Sequence, residues 1–472
     1  MKKGDIYEGK ITDFDFPNKG SLIIEDRKVT VKDTLPGQKV RFSISKKKSG
    51  MAEGRLLSVL EKSELEDGVP FCQYFGVCGG CAYQNLSYDT QLRFKEQMVK
   101  KLIDKALPDY EYEWDGIIAS PIDRAYRNKM EFTFGDEYKD GPLALGLHKK
   151  GSFHDIVSVC RENGCAIINS DWRKIVQYTL SFFAEKGVSY YHRMKHEGIL
   201  RNLVVRQSAS TGEFLINLVT STQWSEYGFN REGILNEYKE GLLALERTGE
   251  FSEGGIIAGI LYTENDTLGD VVQSDRTVCL YGQDYITEEL LGLKFKISPF
   301  SFFQTNTKGC EVLYKKAREY INEGCEPLGK TVFDLYSGTG TIAQMMAPAS
   351  KKVIGIEIVE EAVEAAKENA KLNGLTNCEF IAGDVLKAID IVEDKPDLII
   401  VDPPRDGINP KALDKILGFG VGQIVYISCK PTSLARDLQI IKERGYRLMK
   451  ACCVDQFPQT RNIETIALIS RI

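Results

Sequence analysis

Two residues near the C-terminus could carry covalent chemistry. In Tyr426-Ile427-Ser428-Cys429-Lys430-Pro431 an apolar strand runs into a turn, so Cys429 stands at the strand's carboxyl edge. A thiolate in that position can add to an electron-poor ring carbon and divide one difficult substitution into easier steps. Substitution at an unactivated vinylic ring carbon needs such help, since attack on the neighbouring carbon makes it nucleophilic. That carbon then still carries its hydrogen, and a base must remove it before the thiolate leaves. The four histidines, His148, His154, His192 and His196, all lie outside the C-terminal region, so a carboxylate is expected in the role. Glu464, in Asn462-Ile463-Glu464-Thr465-Ile466, falls on a late apolar strand, where a charge is costly unless it works or is paired. Lys430 and a following helix N-terminus are expected to lower the thiol pKa. The plainer alternatives are an inert core cysteine and a paired structural glutamate.

A second constellation lies upstream. Asp334-Leu335-Tyr336-Ser337-Gly338-Thr339-Gly340-Thr341 joins a strand to a helix through glycines, which lets a ligand approach backbone N–H groups. Gly338, Gly340 and Ala343 also fit the dinucleotide pattern G-x-G-x-x-A, so this loop alone does not separate S-adenosylmethionine from a nicotinamide cofactor. Glu357 closes the second strand, where a carboxylate can accept ribose hydroxyls, and Asp384 follows the third, toward an adenine. Asp402-Pro403-Pro404-Arg405 at the end of the fourth strand decides for S-adenosylmethionine, because this turn stiffens the wall between a methyl donor and a flat base. A proline-stiffened loop is the plainer alternative.

These residues need a parallel sheet that brings strand ends together. From residue 296 strands and helices alternate: Thr331–Leu335, a helix from about Thr341, Val353–Glu357, a helix over Val359–Asn373, Glu379–Ala382, Leu398–Asp402 and Ile424–Ser428. Continuous apolar strands such as Leu398-Ile399-Ile400-Val401 require cover on both faces, so the expected class is α/β with a doubly wound, Rossmann-like sheet over residues 296–472. Residues 1–62 read as a small barrel of oligonucleotide-binding type, with strands at Ile6–Thr12, Leu22–Glu25, Lys28–Val31, Lys39–Ile44 and Arg55–Leu60 and turns at Pro17-Asn18-Lys19-Gly20, Pro36-Gly37 and Ser49-Gly50. Residues 63–295 form a central α+β segment, opening on a cysteine cluster and a helical stretch at Leu86–Leu107.

The chain has 472 residues, enough for two or three domains. Hydrophobic residues at 43% and charged residues at 27% are globular values, and no apolar run is long enough to span a bilayer. No signal peptide is legible, so a cytoplasmic protein is expected, without membrane association and acting as a monomer. Twelve cysteines in a reducing compartment suggest ligation or catalysis rather than disulfides. The net charge of −6 argues against nucleic acid, but residues 1–60 hold 13 Lys/Arg against 8 Asp/Glu, a balance of +5 that includes Lys46-Lys47-Lys48. A solvated loop accounts for that lysine run equally well. Arg127, Arg201 and Arg206, on strand-like segments, could meet phosphate, although surface charge on a half-buried strand is the commoner case. The N-terminal segment is expected to grip RNA and to be separable from the distant cofactor site.

Ser298-Pro299-Phe300-Ser301-Phe302-Phe303-Gln304, the Asp334–Thr341 loop, Asp402–Arg405, Ser428–Pro431 and Ile463-Glu464-Thr465 together resemble the RNA uridine-5-methyltransferase family over nearly the whole chain. The resemblance implies that Gln304, Tyr336, Glu357 and Asp402 bind S-adenosylmethionine, that Cys429 is the nucleophile and Glu464 the base, and that the N-terminal barrel is a TRAM domain. Many members have histidine two residues before the glutamate; here it is Asn462, which leaves open what orients the base. Cys72, Cys78 and Cys81 are similar to the ligand run of members holding a 4Fe-4S cluster, with Cys165 chosen over Cys160 as fourth ligand; four thiolates alone could equally hold zinc. The resemblance implies 23S ribosomal RNA as substrate, with transfer RNA as the alternative. A non-catalytic RNA-binding or redox protein would not need Cys429 and Glu464 together. An enzyme acting on an exocyclic nitrogen would not need the cysteine.

Overall fold

Alternating apolar side chains build the first module. In the computed structural model, which describes residues 1–472 apart from 49, 109, 153, 160, 162–163, 270–273 and 325–327, it comprises β1 (Ile6–Lys10), β2 (Asp13–Asp15), β3 (Lys19–Ile24), β4 (Arg27–Lys32), β5 (Lys39–Lys48) and β6 (Met51–Glu61). They form one six-stranded sheet in the order β1-β5-β6-β4-β3-β2. Val29, Val31, Val40, Phe42 and Ile44 turn inward with Ile11, Leu22 and Ala52, while Arg41 and Ser45 face water between them. The sequence reading expected five strands. The sixth, Asp-Phe-Asp, is too short and acidic for alternation to reveal. β5 and β6 also run longer than expected, so Lys46 and Lys47 lie on a paired strand rather than in a loop. Ser49 of the expected Ser49-Gly50 turn and the alternative thiol Cys160 lie outside the described residues.

α1 (Tyr88–Ala106) follows, with Ser87 accepting a hydrogen bond from the Thr90 amide at its start. Its buried stripe, Gln91, Phe94, Lys95, Met98, Val99 and Ile103, has helical spacing. β7 (Glu113–Ile118) then pairs in parallel with the strand Tyr446–Val454 near the other end of the chain. Residues 88–118 thus serve the C-terminal sheet, although by sequence they fall in the central segment. A strand's composition does not specify which sheet it joins.

The central unit is a seven-stranded sheet made by β8 (Lys129–Asp136), β9 (Leu143–His148), β10 (Ile156–Val157), β11 (Leu200–Gln207), β12 (Glu213–Thr220), β13 (Ile256–Glu264) and β14 (Arg276–Gly282). Helices α2 (Ser170–Glu185) and α3 (Arg231–Arg247) cover it through Trp172, Ile175, Phe183, Leu235, Tyr238 and Leu242. A hairpin, β15 (Ile286–Leu290) and β16 (Leu293–Ile297), leads into the last unit.

There α4 (Thr307–Gly324), β17 (Thr331–Leu335), α5 (Thr341–Met346), β18 (Lys352–Glu357), α6 (Glu360–Leu372), β19 (Cys378–Ala382), α7 (Val385–Ala388), β20 (Leu398–Val401), α8 (Pro410–Gly418), β21 (Gln423–Ser428), α9 (Pro431–Glu443), β22 (Tyr446–Val454) and β23 (Glu464–Arg471) succeed one another. With β7 they make an eight-stranded sheet in the order β19-β18-β17-β20-β21-β23-β22-β7. Within β20, Leu398 and Ile400 face a core shared with α4, α5 and α6, and Ile399 and Val401 face one shared with α1, α7, α8 and α9. Every residue of β20 is therefore buried, which is why its sequence is apolar throughout.

The N-terminal module does not stand apart from this sheet. Leu35 packs with Tyr83, Leu86, Phe94 and Met98, and Phe14 joins them. Lys101 reaches back to Asp13 at 2.5 Å and to the Phe14 carbonyl at 2.7 Å. Removing the module would uncover apolar side chains of α1. Among the described residues no helix is long and apolar enough to cross a membrane.

Candidate active site

β17 ends in a tight turn in which Tyr336, Gly338 and Gly340 all take left-handed φ values of 65°, 53° and 72°. At Gly340 only glycine fits, since a Cβ would lie 2.6 Å from the Phe380 ring and 2.9 Å from Ala366. Asp334, fully buried, accepts the Ala343 amide at 2.8 Å, and burial pushes its carboxyl up to about 8. Glu357 at the end of β18 is gripped by two amides, Gly338 and Val359, each at 3.0 Å. Asp384 caps α7 through the Leu386 amide at 2.8 Å. The segment 298–304 leans on this turn, its Phe302 carbonyl accepting the Thr339 hydroxyl at 3.2 Å.

Arg206 explains how that segment is held. Buried on β11, it donates to the Pro299 carbonyl at 3.1 Å and to the Ser301 carbonyl. Arg201 is likewise buried, bonding the Asn265, Thr267 and Gly269 carbonyls. Both guanidinium groups turn inward to backbone carbonyls, so neither is surface charge on a half-buried strand. Nothing in the alternation of β11 separates an arginine aimed at carbonyls from one aimed at solvent. Arg127 donates to the Lys129 carbonyl at 3.0 Å and is only partly buried.

At the carboxyl edge of the sheet a cleft of about 1690 Å³ brings the separate motifs together. Gln304, Tyr336, Glu357, Asp384, Asp402, Arg405, Cys429 and Glu464 all line it. Its acids are strongly perturbed. Burial pushes Asp402 up to about 7; burial, then the neighbouring Asp402 charge, pushes Glu464 up to about 8, with Arg405 opposing. Burial, followed by Glu464 and Asp402, pushes the Cys429 thiol up to about 11. The expected help from Lys430 is therefore corrected. Lys430 points outward, 4.0 Å from Asp406, and the cation that counters the acids at the thiol is Arg405, within hydrogen-bonding reach.

Glu464 is the first residue of β23 and lies opposite Val454 on β22. The nine residues between these partners form a loop that sequence reasoning passed over. Lys95 of α1 enters it, 2.6 Å from Asp455, with both side chains fully buried. Gln91 exchanges hydrogen bonds with Gln459, the Gln459 carbonyl accepts the Ala82 amide at 2.7 Å, and the Tyr126 hydroxyl donates to the Pro458 carbonyl at 2.9 Å. Arg461 reaches Asp33 of the N-terminal module at 3.2 Å. One signal was available in the sequence: Lys95 occupies the apolar stripe of α1, four residues after Gln91 and three before Met98.

The comparisons with known proteins agree with this geometry. Residues 270–472 match the family model described as tRNA (Uracil-5-)-methyltransferase. An uncharacterized RNA methyltransferase of Clostridium tetani is 48% identical, with all of this chain and 99% of that protein covered. Another from Caldanaerobacter subterraneus subsp. tengcongensis is 46% identical over the full length of both. This chain belongs to the RNA uracil-5-methyltransferase family. Its fold is similar to that of the Pyrococcus abyssi tRNA (uracil-54, C5)-methyltransferase, with a TM-score of 0.72 at 24% identity, covering 98% of this chain and 100% of the other.

The cysteines grouped by the sequence lie elsewhere in this uracil-5-methyltransferase. Cys165 belongs to the central core, and Cys78 and Cys81 pack against it. Burial first, with the charges of the neighbouring thiols adding to it, raises Cys81 to about 11 and Cys165 to about 12. Among the described residues no three His, Cys, Asp or Glu side chains converge closely enough to hold a single metal ion.

As an S-adenosylmethionine-dependent enzyme, the methyltransferase must accept a sulfonium cation, and its cleft holds the half-buried Asp402 and the buried Glu464. Asp402 has a folded pKa of about 7 against 3.8 when free. Its contribution to stability is fully present below the free value and is lost as pH rises through the folded one. Asp402→Asn should therefore raise the melting temperature of the cofactor-free protein more at pH 8 than at pH 5. Thermal melts of both proteins across that range check this, and a constant difference would place Asp402 in a wetter setting than its burial implies.

Proposed function

We propose that the protein methylates C5 of a uridine in folded RNA, with Cys429 as the nucleophile and Glu464 as the base. The observation that carries this reading is the shared cleft, where Cys429, Arg405 and Glu464 stand beside Gln304, Tyr336, Glu357, Asp384 and Asp402. A uridine turned out of its stack would enter there. The Cys429 thiol, held protonated by burial with Arg405 opposing, gives up its proton to solvent and adds to C6 as the thiolate, and the C5–C6 π electrons pass into the C5–O4 enolate. Bound S-adenosylmethionine supplies the electrophilic methyl group. Glu464 then accepts the C5 proton, the C5–C6 double bond re-forms and the sulfur–C6 bond breaks. A carboxyl raised to about 8 is a stronger base than an exposed one, as proton removal from carbon needs. Glu357 would accept the ribose hydroxyls and Asp384 would face the adenine, while Gln304, Tyr336 and Asp402 would line the methyl-donor end.

The trapping experiment tests these roles. Wild type should accumulate a covalent adduct on 5-fluorouridine RNA, because fluorine does not leave as a proton, and Cys429→Ala should lose both adduct and methylation. Glu464→Gln should accumulate an adduct on ordinary uridine RNA and turn over about 10²–10⁴-fold more slowly. Rapid turnover by either variant removes that residue from its role.

The substrate we assign first is 23S ribosomal RNA, because the cationic N-terminal module, of TRAM type in this reading, and the cysteine set together resemble that branch of the family. Transfer RNA is the second reading, favoured by the family model's description and by the substrate of the Pyrococcus abyssi enzyme. Mass mapping of 5-methyluridine in both RNAs, from cells with and without the gene, should show one ribosomal position losing its methyl group. Loss confined to transfer RNA would reverse the assignment.

Cys72, Cys78, Cys81 and Cys165 form a donor set of sulfur alone, suited to a 4Fe-4S cluster in this proposal. A polynuclear cluster holds its ligands farther apart than a single ion does. When bound it would tie the 72–81 segment to the central core. Protein purified without oxygen should carry about four irons per chain and absorb broadly in the visible. Cys165→Ser should lose the iron, and stoichiometric zinc in its place would overturn the assignment.

A further inference from the structure

We propose that the buried Lys95–Asp455 pair is a positioning device that aims Glu464. The proposal rests on the reading of Glu464 as the base. Among the described residues no side chain donates a hydrogen bond to the Glu464 carboxylate, so its direction is set by its backbone, which begins β23 opposite Val454. The loop between these two residues must therefore close in one geometry. A lysine ammonium has three donors. Those of Lys95 go to Asp455 at 2.6 Å, the Phe457 carbonyl at 3.2 Å and the Asn462 carbonyl at 3.3 Å. Asp455 directly follows Val454, and Asn462 stands two residues before Glu464. One ammonium thus staples both ends of the loop, and Phe457 and Asn462 at those ends line the cleft.

An apolar replacement could fill the same volume, and burying such an ion pair is often no more stabilising than packing hydrocarbon. It could not supply three bonds with fixed directions. This answers what orients the base where Asn462 replaces the familiar histidine: the carbonyl of Asn462 is held, and the loop rather than a neighbouring ring directs Glu464.

Lys95→Met removes all three bonds, and Asp455→Asn keeps the shape while removing the charge. Each is compared with Glu464→Gln on ordinary uridine RNA by denaturing gel, steady-state kinetics, S-adenosylmethionine calorimetry and thermal melting. In both loop variants kcat should fall about a hundredfold. The Michaelis constant for RNA and the cofactor affinity should stay within about twofold. The covalent adduct should accumulate as it does in Glu464→Gln, with the larger effect for Lys95→Met. If Lys95→Met does not fold, Asp455→Asn carries the test. A rate loss without adduct, while Glu464→Gln does accumulate it, overturns the positioning role. So does a loss that follows cofactor affinity or melting temperature. No adduct in Glu464→Gln would instead defeat the reading of Glu464 as base, and this proposal with it.

Discussion

The ion pair between Lys95 and Asp455 is the constraint on which the rest of the site depends. Its partners are 360 residues apart and both fully buried, so neither recovers its hydration unless the other is present. Once formed, the pair ties α1 to the loop that ends at Glu464. The other units converge on the same loop. The N-terminal module meets it through Asp33 and Arg461, the central unit through Tyr126, and the segment following the cysteine run through Ala82 and Tyr83. The loop is where these units touch.

A second constraint is electrostatic. Asp334 and Glu464 are buried and Asp402 is half-buried within one region, and Arg405 is the cation that bears on the Glu464 charge. Such carboxyls resist ionising until a cation such as a sulfonium stands beside them, and Glu464, the base of the proposed reaction, is raised to about 8. The same burial works against the Cys429 thiol. Arg405, at the end of the Asp-Pro-Pro turn, lies where it can oppose both effects. The turn thus does more than stiffen a wall, since it carries the counter-charge for both Cys429 and Glu464, the nucleophile and base of the proposed reaction.

Much of this was legible in the chain. A parallel sheet sends the carboxyl end of every strand to one edge, so Tyr336, Glu357, Asp384, Asp402 and Cys429, each read as following a strand, had to meet there. Continuous apolar runs such as β20 announced a sheet covered on both faces. What escaped were statements about partners. That Arg201 and Arg206 turn inward to carbonyls, that β7 leaves its sequence neighbours for a distant sheet, and that Lys430 faces away from the thiol all depend on which surfaces come together.

By itself, the sequence determined the chemistry available and the strand ends that would present it, because local periodicity and motif spacing are properties of short segments. Only the tertiary structure decided how that chemistry is tuned and aimed. The pKa of Cys429 and Glu464 follows from the water excluded and the charges gathered around them, and the direction of Glu464 follows from Lys95, on a helix far away in the chain. Desolvation and long-range ion pairing are summed over whatever the fold brings close, and no stretch of sequence contains that sum.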